Sequence, residues 1–154
     1  MPQETRDRVN LLLQELGKAS GLSGAMLDAR GRFSLSLDGE VWTAMHREET
    51  EDLYLFHTLG PLPEEREERA RISAFLLERN CFFRGVGKGV LGVFAGQIHY
   101  TMVLDPRSLA YPDFERLLLF AVDLCAGLKR EMNERSSPEA AAEAEGDAAG
   151  YVRV

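Results

Sequence analysis

Arg32-Phe33-Ser34-Leu35-Ser36-Leu37-Asp38-Gly39-Glu40-Val41-Trp42 is the stretch from which the fold can be read. Phe33, Leu35 and Leu37 alternate with Arg32, Ser34 and Ser36, the period of two that marks a half-buried strand. Asp38-Gly39 follows at once, and both residues tolerate the positive φ that a two-residue hairpin turn demands. The chain therefore turns back into a second strand over about 40–47, carrying Val41, Trp42 and Met45. After a short acidic loop at 48–52 comes a third strand over 53–59. Leu53, Leu55 and Leu59 point to one side of it and Tyr54 and Phe56 to the other. A strand apolar on both faces is expected to be covered on both, by a helix, a partner subunit or a guest chain.

Working outward, Val9, Leu12, Leu13 and Leu16 recur at the i, i+3, i+4, i+7 spacing of one helical stripe, predicting a helix over about 5–18. Gly17 and Gly21 bracket its end. Downstream, Gly60-Pro61-Leu62-Pro63 punctuates the chain. Pro63 suits the first turn of a second helix, whose start is loaded with Glu64, Glu65, Glu67 and Glu68. Ile72, Phe75, Leu76 and Leu77 give that helix a broad apolar face, and Asn80 with the glycines at 85, 87 and 89 ends it. Two more strands, 90–95 and 97–105, flank a turn at Gly96. A third helix runs from about Tyr111-Pro112 to Glu134, and its stretch 117–122 is apolar nearly all round, predicting burial from more than one side. The order is helix, three strands, helix, two strands, helix. Short links between neighbouring strands predict an antiparallel sheet with helices segregated against it, an α+β domain over 1–135. Residues 136–154, an acidic Ala/Glu-rich tail, lack the apolar anchors of a packed element and read as disordered or partly helical.

Composition narrows the function. The chain has 154 residues, 45% hydrophobic and 28% charged, enough for one globular domain. A formal charge of −7 repels phosphate backbones and anionic lipid, so nucleic acid and membrane surfaces are poor partners. Arg66, Arg69, Arg71 and Arg79 are interleaved with glutamates and read as a solvated helix face. Two cysteines, Cys81 and Cys125, make no disulfide framework and read as small buried hydrophobes. The charged amino terminus lacks an export signal, and 117–122 is too short to span a bilayer, so the expected compartment is a reducing cytoplasm.

Catalytic chemistry is looked for and not found. His46, His57 and His99 lie in three separate strands without metal-ligand spacing. Gly85-Val86-Gly87-Lys88-Gly89 fails as a phosphate loop. The glycine needed five residues before Gly87 is Phe82, and Gly89 stands where Ser or Thr should follow the lysine. A dinucleotide fingerprint would need glycine at Val90, on a strand-to-helix turn, whereas this loop joins a helix to a strand. The chain is read as a non-enzyme with no cofactor and no metal.

Several strings together resemble the class I type III secretion chaperones, the Tir chaperone family. They are Val9-Asn10-Leu11-Leu12-Leu13-Gln14-Glu15-Leu16-Gly17 in the first helix, Leu59-Gly60-Pro61-Leu62-Pro63 before the second, and Leu76-Leu77-Glu78-Arg79-Asn80-Cys81-Phe82 at its end. The glycine-rich link, Gly92 and Leu104-Asp105 fit as well, so the likeness spans about 9–128. It implies three helices on a twisted five-stranded antiparallel sheet, and a homodimer in the bacterial cytoplasm. It also implies that the amino-terminal segment of an effector is held extended and ready for secretion. A holding protein needs exposed apolar surface. The candidate effector-binding residues are Leu12, Leu16, Phe33, Leu35, Trp42 and Phe56, and an extended guest could also add a strand to a sheet edge. The candidate dimer surface is Ile72, Phe75 and Leu76 with Val90, Leu91 and Val93. The rival readings are a regulatory protein-interaction module of the same fold outside secretion, and a small enzyme or ligand-binding domain using the glycine loop.

Overall fold

The computed structural model describes residues 2–83 and 85–136. Its elements are α1 (Pro2–Ser20), β1 (Arg32–Leu37), β2 (Glu40–His46), β3 (Leu53–Pro61), α2 (Arg66–Asn80), β4 (Gly89–Phe94), β5 (Gln97–Leu104) and α3 (Tyr111–Arg135), with a 3-10 turn at Cys81–Phe83. The α+β expectation holds. The strands form one antiparallel sheet in the order β1-β2-β3-β5-β4, leaving β1 and β4 as its edges. The tail at 137–154 lies outside the described residues.

Both tight hairpins follow from their turn residues. Asp38 and Gly39 have φ of 52° and 81°, and Ala95 and Gly96 of 50° and 73°, so both positions of each turn are left-handed. That geometry matches the twist of the flanking strands. Gly39 and Gly96 take it without strain, while Asp38 and Ala95 are drawn along by the pairing. In β3 the register slips between Thr58 and Gly60, a bulge that Gly60 accommodates at φ 138°.

Alternation assigns one sheet face to the helices. Leu35, Trp42, Ala44, Leu53, Leu55, Ile98, Tyr100, Met102 and Leu91 are buried there with Val9, Leu12, Leu13 and Leu16 of α1. Ile72, Phe75 and Leu76 of α2 and Phe114, Leu118, Val122, Cys125 and Leu128 of α3 complete the core. Trp42 is its centre, stacked on the His57 ring at 5.0 Å and edge-on to Tyr100 at 6.3 Å. Polar ties fix the helices. Arg8 donates to the Leu109 carbonyl at 2.8 Å, and the Asn10 amide oxygen accepts from Leu27 N–H at 2.8 Å. Asn80 behaves as one more strand residue, donating to the Leu91 carbonyl at 2.7 Å and accepting from Leu91 N–H at 2.8 Å. It locks the end of α2 to β4.

The structure departs from the sequence expectation at three places. Helix α2 starts at Arg66, after Pro63 rather than on it, because the Glu65 carboxylate caps it by accepting from Glu67 N–H and Glu68 N–H at 2.9 and 2.8 Å. Pro63 instead offers its carbonyl to Arg69 Nε at 2.8 Å. The apolar stretch 117–122 is buried from one side: Leu118, Ala121 and Val122 go inward while Leu119 and Phe120 are about half exposed. Cys125 is buried as expected, but Cys81 is exposed where the helix ends.

Candidate functional site

Among the described residues no helix covers the opposite face of the sheet. Register brings Thr43 beside Phe56, Met45 beside Tyr54, Phe56 beside Thr101 and Val90 beside Thr101 on that face. The sheet's twist turns this row into a trough of about 500 Å³ lined by Arg32, Met45, Phe56, Val90, Phe94 and His99, among others. Its surface is mainly apolar, and it offers a long, shallow seat rather than an enclosed cavity.

The trough opens at β4 onto a second apolar surface. Val90, Val93 and Phe94 are exposed, Phe94 at 78%. At the end of α2, Leu77 is 71% and Phe82 is 86% exposed, with Phe83 beside them. Phe82 and Phe83 have φ of 54° and 55°, a left-handed backbone that costs about 1–2 kcal/mol per non-glycine residue. Strain spent on showing two aromatic rings to solvent is a feature of binding surfaces.

Placed in the structure, the sequence candidates divide. Leu12, Leu16, Leu35 and Trp42 are core residues, at most 6% exposed, so as guest-contacting side chains they are corrected: they pack in the core between the helices and the sheet. Phe33 and Phe56 are half-buried, Phe33 beside the core at the β1 edge and Phe56 in the trough. On the other surface Ile72, Phe75, Leu76 and Leu91 are likewise corrected to protomer core, while Val90 and Val93 are free. The helical period marks the apolar face of α2, but it does not reveal that α2 buries Leu76 and presents Leu77. The sequence reading missed Leu77, Phe82, Phe83 and Phe94, whose signal was their excess over what one sheet face needs.

Burial shifts the titratable groups of the core toward their neutral forms. Burial holds the His57 ring below its ordinary pKa, opposed by the hydrogen bond of its Nδ1 with the Val41 carbonyl at 2.7 Å. Nε2 of His57 stands 3.6 Å from Glu40, which pairs with Lys129 at 2.8 Å. Burial pushes the Cys125 thiol up to about 12, so it stays protonated and unreactive. Among the described residues no group of three His, Cys, Asp or Glu side chains could hold a metal ion, and no helix is long and apolar enough to cross a membrane. The glycine loop has a packing explanation. A Cβ on Gly85 would meet the Arg79 side chain, one on Gly87 would lie 2.6 Å from Phe120, and one on Gly89 2.3 Å from the Tyr100 ring.

Three helices on one face of a twisted five-stranded antiparallel sheet, with the other face bare, is the architecture of the class I type III secretion chaperones. The chain belongs to the Tir chaperone protein (CesT) family, which it matches over residues 11–129. Solved structures of the same fold include the ExsC–ExsE complex, at 23% identity and TM-score 0.65, covering 81% of this chain and 93% of that one. The HopA1–SchA chaperone–effector complex is similar at 17% identity and TM-score 0.66, covering 80% and 94%. The Yersinia pestis type III secretion chaperone SycH, in complex with a stable fragment of YscM2, is similar at 18% identity and TM-score 0.59, covering 77% and 98%. No curated protein sequence matches the chain.

Proposed function

We propose that this chain is a type III secretion chaperone of the bacterial cytoplasm, holding the amino-terminal region of an effector extended and competent for secretion. Two copies join through the apolar end of α2 and β4, using Leu77, Phe82, Val90, Val93 and Phe94. The guest lies along β1 and in the uncovered trough, where Phe33, Met45 and Phe56 receive its apolar side chains. It gains main-chain hydrogen bonds from the β1 edge. The chaperone supplies surface and order, with no cofactor, no nucleotide, no nucleic acid and no membrane insertion in its cycle.

The observation that carries this reading is the bare sheet face with its apolar trough, in a chain of the Tir chaperone family. Chaperone–effector complexes among the structures of the same fold support it. Co-expression with the products of neighbouring genes tests it, with light scattering on what co-purifies. The expected complex is two copies of this chain with one guest, whose bound segment resists protease yet gives extended-chain NMR shifts. A guest retained only as a folded domain, or a chain that purifies alone from every such pairing, would contradict it.

A further inference from the structure

A second concavity, of about 440 Å³, lies at the Arg32 end of β1 and shares Arg32 and Met45 with the trough. Arg6 of α1, Arg30 and Gly31 of the turn before β1, Arg32 of β1, His46 at the end of β2 and Arg47 to Glu49 after it line it, with Ala29 and Met45. Four arginines and two glutamates are among its lining residues, in a chain whose overall charge is −7.

The turn carrying two of the arginines is built. Its Asp28 carboxylate accepts from Arg32 N–H at 3.0 Å and Arg30 N–H at 2.8 Å, which holds that acid below its ordinary pKa. Gly31, at φ 72°, accepts from His46 N–H at 2.8 Å, and a Cβ there would lie 2.8 Å from the His46 carbonyl. This close approach sets the turn against the end of β2. Among the described residues the Arg30 and Arg32 guanidinium groups make no ion pair or side-chain hydrogen bond. The Asp28 carboxylate that feels their charge is spent on backbone N–H groups. The pocket's own acids are loosely engaged. Glu48 is 3.7 Å from Arg6 and Glu49 3.8 Å from Arg47, both longer than a charge-assisted hydrogen bond.

His46 is the independent sign of a missing partner. It is 4% exposed, and neither ring nitrogen has a hydrogen-bond partner among the described residues. Buried polar atoms are nearly always satisfied, so an orphaned imidazole in the wall of a basic pocket calls for a ligand. Burial first, and the Arg6 charge second, keep the ring neutral, with one N–H to give and one lone pair to fill.

We infer that the pocket formed by Arg6, Arg30, Arg32, His46 and Arg47 binds a compact oxyanion, a carboxylate or a phosphate group. The planar guanidinium fork matches both, and two unpaired forks from one turn can close on one group. This assignment is independent of the chaperone reading. The anion can come free in solution or as the acidic side chain of a bound polypeptide, and the test separates the two.

The full chain is titrated with inorganic phosphate, and separately with a terminally blocked peptide rich in aspartate, by calorimetry and by NMR of the His46 ring. Binding of either probe with a shift of the His46 signals, weakened about tenfold or more by Arg30→Gln with Arg32→Gln, supports the pocket. Phosphate binding assigns a free anion, and peptide binding alone assigns an acidic side chain. Arg66→Gln with Arg69→Gln removes the same charge from α2 and is expected to leave binding within about twofold. Equal weakening by the two double variants, or no binding of either probe by a protein whose circular dichroism is intact, overturns the assignment. Single Arg30→Gln and Arg32→Gln variants repeat the test should the double variant fold poorly.

Discussion

The two edges of the sheet are built to opposite specifications. On the bare face β1 presents Arg32, Ser34 and Ser36, whereas β4 presents Val90, Gly92 and Phe94. Beside β1 lies a basic pocket; beside β4 lie Leu77, Phe82 and Phe83. An apolar edge with unsatisfied backbone groups is an aggregation hazard unless something covers it permanently. A polar edge can stay free in water and accept a strand temporarily. The difference teaches a division of labour: the β4 end suits a standing contact with a second copy, and the β1 end suits a guest that must later leave.

The largest effects should be symmetric and belong to the core beneath both edges. Trp42→Ala and Phe75→Ala each remove a side chain that is 1% exposed, at an expected cost of about 3–5 kcal/mol in urea denaturation at fixed protomer concentration. A much smaller loss for either would place that residue in an interface rather than the core.

Next comes the asymmetry itself. Val90→Glu with Phe94→Glu should convert dimers to soluble protomers by light scattering, with circular dichroism retained. Ser34→Glu with Ser36→Glu, the matching change on β1, should leave the mass unaltered and weaken guest retention. Equal effects of the two pairs on oligomeric mass would break the comparison.

A smaller effect separates two glycines within β4. Gly89→Ala drives a Cβ to 2.3 Å from the Tyr100 ring and should cost about 1–3 kcal/mol. At Gly92 nothing lies within 4 Å, so Gly92→Ala should stay within about 0.5 kcal/mol in the same denaturation series.

The smallest expected change is with pH. Burial lowers the pKa of His57 at the sheet centre and of His46 at the β1 end from 6.5. The unfolded chain therefore binds more protons between the folded and unfolded pKa values, and stability rises with pH in that window. The contribution is complete above about pH 6.5 and is lost as pH falls through the folded values. The urea midpoint should be lower at pH 5.5 than at 7.5, and His57→Gln should flatten the difference. A midpoint higher at the acid end would reverse the sign of both burial effects.

Elements were legible where a local period or turn chemistry dictates them. The alternation at 33–37 and Asp38-Gly39 predict a hairpin that the structure contains, its return strand ending at His46 rather than at about 47. What sequence could not decide was coverage. The apolar stripes of α1 and α2 reveal a buried face without saying whether a neighbour inside the protomer or outside it does the burying. Leu12, Leu16 and Trp42 therefore read as groove residues and proved to be core. Phe82 and Phe83 were hidden for another reason: their left-handed backbone is imposed by how α2 meets β4, with Asn80 tied to Leu91. The basic pocket was illegible because α1, the turn before β1 and the end of β2 meet only after folding.

Hydrogen exchange of this chain, alone and with a co-expressed guest, tests the central claim most directly. The account predicts that 89–94 is protected in both states, because a second copy covers it, and that protection at 32–37 appears only with the guest. Unchanged exchange at 32–37 on guest binding, with new protection at 89–94 instead, would contradict it.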